Sequence, residues 1–291
     1  MLGEQKTKKL QTLIHLLDVS DEAAYEEVTS QIMAYGPDAI SVLEQAWLKL
    51  PDAERQNRLL ALIQKLHLER IYQKLTIWAN FYPGDILQGY FLVSQYHYSD
   101  LDMKEVDTLM QEIRDDLRYE LDDHLTPLQK IKVVNHILFD IHHLRVNVKK
   151  ENIIGSNFLN RLLTTKKGSP IALGLLYMIV AQEFGIPLYG LPLAHHFVLA
   201  YMNADFPGTV AFNSEVRFYV NPHFKGAAFT AKEITRYLKE TKQEASKDFF
   251  YPHSNVALIR RLLSDLRKIY THFDDQARAE EVAYLLEALG K

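Results

Sequence analysis

One stretch, residues 166–221, constrains the fold more than any other part of the sequence. It opens with KKGSPIALGLLYMIVAQEFG, in which nearly every position between Pro170 and Phe184 is apolar. A helix without a polar face is buried on most sides, so this segment predicts the central helix of a core. Its ends are also marked, because Ser169 is a favoured N-cap and Pro170 suits the first helical position. Gly185 predicts the end of the helix.

Extended segments follow this helix. Ile186–Pro187 begins one, and the runs His196–Tyr201 and Arg217–Asn221 have the aromatic and β-branched composition of strands. A buried helix followed by strands that carry His and Asn is the layout of a papain-like thiol site.

The order of these features resembles the transglutaminase-like superfamily. In that family a Cys opens the helix, a His begins the next strand and an Asp closes the strand after it. Counting back from Gly185 places the position of the Cys at Pro170, while the His corresponds to His196 and the Asp to Asn221. The sequence contains no Cys. The resemblance therefore implies a degenerate triad of Pro170, His196 and Asn221, with no intact catalytic set.

Within the superfamily, the sequence is most similar to the SirB-one type, which joins a transglutaminase-like core to a tetratricopeptide-like tail. Five blocks in the same order carry this resemblance: Leu128–Phe139, Asn157–Leu173, Leu191–Phe197, Asn221–Gly226 and Arg260–Tyr270. The sequence departs from the pattern at three places: His143–Asn147 replaces a glycine-containing segment, Leu193–His195 lengthens the approach to His196, and Asn221 replaces Asp.

Composition excludes several classes of protein. The chain has 291 residues and a formal net charge of −4, without a clustered basic run, which argues against a nucleic-acid surface. No apolar run reaches the roughly 18 residues that span a bilayer, so no membrane association is expected. The absence of Cys excludes disulfides and thiol catalysis. We expect a cytoplasmic bacterial protein without a cofactor.

The sequence predicts an α+β fold in three parts. Residues 1–82 form a helical, HEAT-like region whose fourth helix runs from Ala53 to about Leu66. Residues 83–245 form a papain-like or transglutaminase-like core with a small antiparallel sheet, and residues 246–291 form a tetratricopeptide-like helical hairpin. The first boundary is placed at Pro83-Gly84, because this pair interrupts the helical pattern.

The site residues leave several interpretations open. Ser169 is the one hydroxyl beside the Cys position, and a nucleophilic role with His196 as base competes with its role as N-cap. For His196, a structural role retained from an ancestral site is the favoured interpretation. A metal site at His195, His196 and His223 is not expected, because adjacent strand residues point to opposite faces. A group of acidic residues in the helical part of the core is interpreted as a solvated helix face rather than a cation site: Asp115, Asp116, Asp122 and Asp123.

These observations favour a non-catalytic binding or scaffolding protein with an unknown protein or peptide partner. One alternative is a hydrolase or acyltransferase that uses Ser169 or a water activated by His196. Another is a protein–protein adaptor that acts through its helical ends. An open cleft that reaches His196 favours binding or catalysis, whereas a filled cleft favours the adaptor.

Overall fold

The computed structural model describes residues 3–17, 22–50, 52–147, 152–193, 196–203, 216–242 and 249–290. The chain divides into two compact units, Met1–Thr76 and Ile77–Lys291. The described residues are mostly helical and contain one small antiparallel sheet, which confirms the predicted α+β class with helical ends. The division into three parts at residues 82 and 245 stays a prediction. No helix among the described residues is long and apolar enough to cross a membrane.

The first unit is a helical cluster. Its helices are α1 (Glu4–Leu16), α2 (Glu22–Met33), α3 (Ile40–Trp47) and the first part of α4 (Ala53–Phe81). Leu10, Ile32, Leu43, Leu59 and Leu66 are fully buried in its core. The prediction that the fourth helix ends near Leu66 is wrong. No Pro or Gly interrupts the chain between Leu66 and Phe81, so the helix continues.

The second unit begins within α4 and holds the remaining helices. They are α5 (Ile86–His97), α6 (Met103–Glu120), α7 (Pro127–Asn135), α8 (Leu159–Thr165), α9 (Pro170–Glu183), α10 (Ala231–Glu240), α11 (Asn255–His272) and α12 (Gln276–Glu287). Helix α7 ends at Asn135, and the chain continues as a π-helical turn, His136–Ile141.

The strands form two sheets. The short strands β1 (Arg145–Val146) and β2 (Lys167–Gly168) pair in parallel just before α9. The main sheet is antiparallel, in the order β3 (Leu188–Leu193), β4 (His196–Met202), β5 (Val216–Asn221) and β6 (Ala227–Phe229). The sequence predicted β4 and β5 and an extended segment at β3, but not β6, which has only three residues and no alternating pattern.

Helices cover both faces of the main sheet. The central helix α9 is buried from Ile171 to Ala181, as its apolar composition predicted. It packs against β3 and β4. On the other face, Ile234 and Leu238 of α10 share a core with Val198, Ala200 and Tyr219. Helix α11 packs against both α5 and β3, so the C-terminal hairpin is part of the second unit.

Candidate functional site

The start of helix α9 has the geometry that its sequence predicts. Ser169 is the N-cap residue, with an extended backbone, and its Oγ accepts the N–H of Ala172 at 3.3 Å. Its own backbone N–H donates to the carbonyl of Ser156 at 2.7 Å, which ties the cap to the segment before α8. Pro170 occupies the first helical position, where its missing N–H leaves no unsatisfied donor. The N-cap role of Ser169 is therefore confirmed.

A cavity of about 220 Å³ opens at this helix start. Its lining comes from five parts of the chain: Asn147; Ile153, Ser156 and Asn157 before α8; Ser169, Pro170 and Ile171 at the start of α9; Phe197 of β4; and Arg261, Asp265 and Ile269 of α11. We call this cavity the α9 cleft. It adjoins Phe197, the neighbour of His196 in β4. Whether an open cleft reaches His196 stays a prediction, because the side chain of that residue lies outside the described residues.

The inner wall of the α9 cleft is built by the close approach of Phe197 to helix α9. The ring is 3% exposed and lies against Gly174, where a Cβ would stand 2.1 Å from Cδ1 of Phe197. It also lies against Gly190 of β3, where a Cβ would stand 2.8 Å from its Cζ. The ring is thus held between two positions that lack a side chain, and this contact fixes the distance between β4 and α9.

The rim of the α9 cleft carries charge. On α11, Nε of Arg261 donates to Oδ2 of Asp265 at 2.8 Å, and Nζ of Lys268 lies 3.3 Å from Oδ1 of the same carboxylate. The Arg261 and Asp265 side chains are about 30% exposed. The sequence analysis missed both residues, because their place in the cleft depends on how α11 packs and not on any local motif.

The structure describes only the backbone of His196. This residue begins β4 and pairs with Leu193 of β3. The orientation of its side chain lies outside the described residues, as does the whole of His195. The predicted role of His196 as a base therefore stays a prediction. Among the described residues, no group of three His, Asp or Glu side chains is arranged to hold a metal ion.

Asn221 has a local structural role that the sequence analysis did not foresee. It ends β5, and its Oδ1 accepts the backbone N–H of His223 at 3.0 Å, which starts the 3₁₀ turn Pro222–Phe224. An amide oxygen used in this way is a common device for starting a turn. The carry-over of Asn221 as the partner of His196 stays a prediction.

Asn221 also lines a second cavity, of about 300 Å³, together with Val198 of β4 and Ile234 of α10. Phe197 lines the α9 cleft, and its neighbour Val198 lines this second cavity. Because successive strand residues point to opposite faces, β4 separates the two cavities. Pro170 and Asn221 thus border different spaces.

A buried hydrogen-bond chain fixes the segment after Asn221. The hydroxyl of Tyr177 on α9 donates to Oδ1 of Asn135 at 2.8 Å, and Nδ2 of Asn135 donates to the carbonyl of Gly226 at 2.9 Å. Burial raises the pKa of Tyr177 well above its usual range, so the phenol stays protonated. In the sequence, the glycine at position 226 is the signal of this arrangement. The structure explains it, since the φ of +70° at this position favours glycine.

The acidic group on α6 and its following loop is largely engaged in pairs. Asp116 accepts a bond from Nε2 of His142 at 2.8 Å, and Asp115 pairs with Arg118. Asp122 accepts the backbone N–H of His124 at 2.8 Å. These contacts agree with the interpretation of the group as a helix face and loop rather than a cation site.

Comparison with known proteins places this geometry in a family. A sequence profile described as "Transglutaminase-like superfamily" matches residues 103–264, more than half of the chain. The chain belongs to the transglutaminase-like superfamily. The matched region includes helix α9, the whole main sheet and the part of α11 that carries Arg261.

Two bacterial proteins are similar to this chain over most of their length. A "UPF0162 protein" of Xylella fastidiosa strain Temecula1 is 26% identical over 223 residues, which cover 72% of this chain and 75% of that protein. The protein of the same name from strain 9a5c is 27% identical over 201 residues, or 66% of this chain and 67% of that one.

Mouse F-box only protein 21 is 27% identical over 105 residues, which cover 36% of this chain and 16% of that protein. No solved structure matches this chain.

Proposed function

We propose that this chain is a non-catalytic binding protein of the SirB-one type, in which the transglutaminase-like site is retained as a cleft for a protein or peptide partner. The observation that carries the proposal is an open cleft at Pro170 in a chain that has no Cys. The five sequence blocks in family order support the assignment to this type. The spacing of Pro170 from Gly185 matches that of the nucleophile in the family.

The residues at the helix start support binding without covalent chemistry. Proline offers neither a nucleophile nor a backbone N–H that could stabilise an oxyanion. The neighbouring hydroxyl of Ser169 accepts the N–H of Ala172 as the helix cap, so its oxygen already serves the helix. Attack on a substrate by this oxygen would weaken its bond to the Ala172 N–H, and a helix cap of this kind typically contributes about 1 kcal/mol to stability.

The shape and lining of the α9 cleft indicate the class of ligand. Its volume of about 220 Å³ is below the roughly 300–1,000 Å³ that is typical of pockets for small molecules, so it suits one side chain of a longer ligand. Phe197, Pro170 and Ile269 provide apolar walls for that side chain. The Arg261–Asp265 pair at the rim offers donors and acceptors for the adjoining backbone. We therefore infer a peptide segment with an apolar anchor residue.

The test is a selection of peptides from a random library on the immobilised full chain, followed by affinity measurements on two variants. Ile269→Trp fills the cleft from α11, whereas Arg267→Trp places the same bulk on an exposed position of that helix outside the lining. The proposal predicts that selected peptides bind the parent and Arg267→Trp alike. It predicts at least a tenfold loss of affinity for Ile269→Trp.

Two results would overturn the proposal. The first is a failure to select any peptide that binds the parent. The second is binding that Ile269→Trp and Arg267→Trp change equally, because the cleft would then not be the binding surface. As a control, circular dichroism of both variants tests whether each retains the helical content of the parent.

A further inference from the structure

A further cavity lies in the first unit and not in the transglutaminase-like part. It has a volume of about 400 Å³ and runs between α1, α3 and the start of α4. We call it the N-terminal groove. Its lining divides into an apolar floor of Ile14, Leu17, Val42, Ala46, Leu50 and Leu59, and a polar rim of Gln11, His15, Gln45, Lys49, Arg55 and Arg58.

The permanently charged side chains that line the rim are all positive. Three of its side chains, Lys49, Arg55 and Arg58, carry permanent positive charge, and no Asp or Glu lines the groove among the described residues. Arg55 and Arg58 also pair with Asp52 at 3.7 Å and with Glu54 at 2.8 Å, which partly offsets their charge. Lys49 is exposed and has no ion-pair partner among the described residues.

The geometry of the floor follows helical spacing. Val42 and Ala46 are one turn apart on α3, and Ile14 and Leu17 lie on one face of α1. Arg58 is held over the ring of Tyr25, with its guanidinium carbon 5.0 Å from the ring centroid, so the rim at this side is positioned by the fold. An apolar floor between helices, bordered by fixed charge, is the form of surface that accepts an amphipathic helix.

We propose that the N-terminal groove binds an acidic amphipathic helix of a partner protein. The apolar side chains of that helix would enter the floor, and its carboxylates would face Lys49, Arg55 and Arg58. Charge complementarity selects an acidic partner over a basic one, because a Lys-rich helix would meet like charges at the rim. This inference uses only the first unit and is independent of the proposed function of the α9 cleft.

A single introduced thiol tests the proposal, because the chain has no other Cys. Gln45→Cys places an environment-sensitive fluorophore in the groove, and Lys65→Cys places the same label at an exposed position outside its lining. The probe is a synthetic peptide of about 20 residues, with Leu at heptad positions, Glu at the positions that flank them and Ala elsewhere to favour the helix. Its control has Lys in place of every Glu.

We expect the acidic peptide to give a saturable blue shift of the label at residue 45 and no shift at residue 65. The basic control peptide should give no shift of the label at either position. Lys49→Glu should weaken binding by about fivefold, since it replaces an attraction at the rim by a repulsion. Lys65→Glu, the matched charge reversal, should leave the affinity unchanged. Lys49→Gln repeats the test with a smaller loss if the reversal destabilises the unit.

Several results would overturn the proposal. They are no shift at millimolar peptide, an equal response to the basic peptide, or equal effects of Lys49→Glu and Lys65→Glu. Sedimentation of the parent and of Lys49→Glu provides a further check. Self-association that Lys49→Glu abolishes would mean that a second copy of this chain, and not an acidic partner, occupies the groove.

Discussion

Substitution of Gly174 by Ala tests the contact on which the α9 cleft is built. In an open helix this change would stabilise the protein by about 0.5–1 kcal/mol, because Ala is the better helix former. Here the added methyl group would lie 2.1 Å from Cδ1 and 2.4 Å from Cε1 of Phe197. Overpacking of a core of this kind usually costs about 1–3 kcal/mol. We therefore expect a net loss of about 1–2 kcal/mol in the free energy of unfolding.

The ring of Phe197 cannot withdraw easily, since its Cζ already lies against Gly190. The smaller side chain in Phe197→Leu should make room for the methyl group. The double variant Gly174→Ala/Phe197→Leu should therefore lose less stability than the sum of the two single variants, by about 1 kcal/mol. Gly84→Ala is the control, because nothing lies within 4 Å of a Cβ at that position and its φ is not positive.

Urea denaturation of the full chain measures these changes through the fluorescence of Trp78. This residue is 2% exposed and belongs to the second unit, so its signal follows the unit that contains the cleft. Trp47 is first replaced by Phe, which removes a buried indole N–H that has no hydrogen-bond partner among the described residues. A Gly174→Ala variant as stable as its parent would mean that Phe197 does not pack on α9, and the assignment of the cleft wall would fail.

Three further predictions address the site, the sheet and the unit boundary. Pro170→Cys should give a thiol with a pKa below about 8.5, because helix N-termini favour the thiolate form. The pH profile of iodoacetamide alkylation measures this pKa, and a midpoint at or above about 8.5 would contradict the prediction. Burial raises the pKa of Tyr219 to about 12, so the stability from its neutral form should be lost as the pH rises from about 10 to about 12. The slope of the urea midpoint against pH should be shallower in Tyr219→Phe, and an unchanged slope would refute this. A chain starting at residue 83 should melt lower than one starting at residue 77, since only the longer chain keeps the buried Trp78; equal melting would show that this side chain contributes nothing.

The parts of the fold that were predictable from sequence are those written in local patterns. Ser169 and Pro170 predict the start of α9, and the apolar run after them predicts that the helix is buried. Both signals are local, because capping and helix periodicity depend on neighbours in the chain. The length of α4 was also predictable in principle, since the absence of Pro and Gly as far as Phe81 is a local signal.

The remaining features of the cleft depend on contacts between distant segments. Arg261 and Asp265 reach the cleft only because α11 packs on the unit that contains α9, and nothing in their own sequence indicates this. The contact of Phe197 with Gly174 likewise depends on which face of β4 packs on α9. A shift of one residue in the strand register would turn Phe197 to the other face of the sheet. Asn221 is an exception, because its bond to the His223 N–H is local and Asn221-Pro222 is a turn signal. The family resemblance alone was used to assign this residue, and the turn was not predicted.

Native mass spectrometry of the full chain with a peptide selected on the α9 cleft tests the central claim most directly, because one spectrum reports both binding and covalent change. The account predicts a one-to-one complex whose peptide keeps its original mass after prolonged incubation with a primary amine. It also predicts that Ile269→Trp abolishes the complex. A hydrolysed peptide, an amine-linked product or an acylated chain that disappears in Ser169→Ala would contradict it and would show that the cleft is an active site.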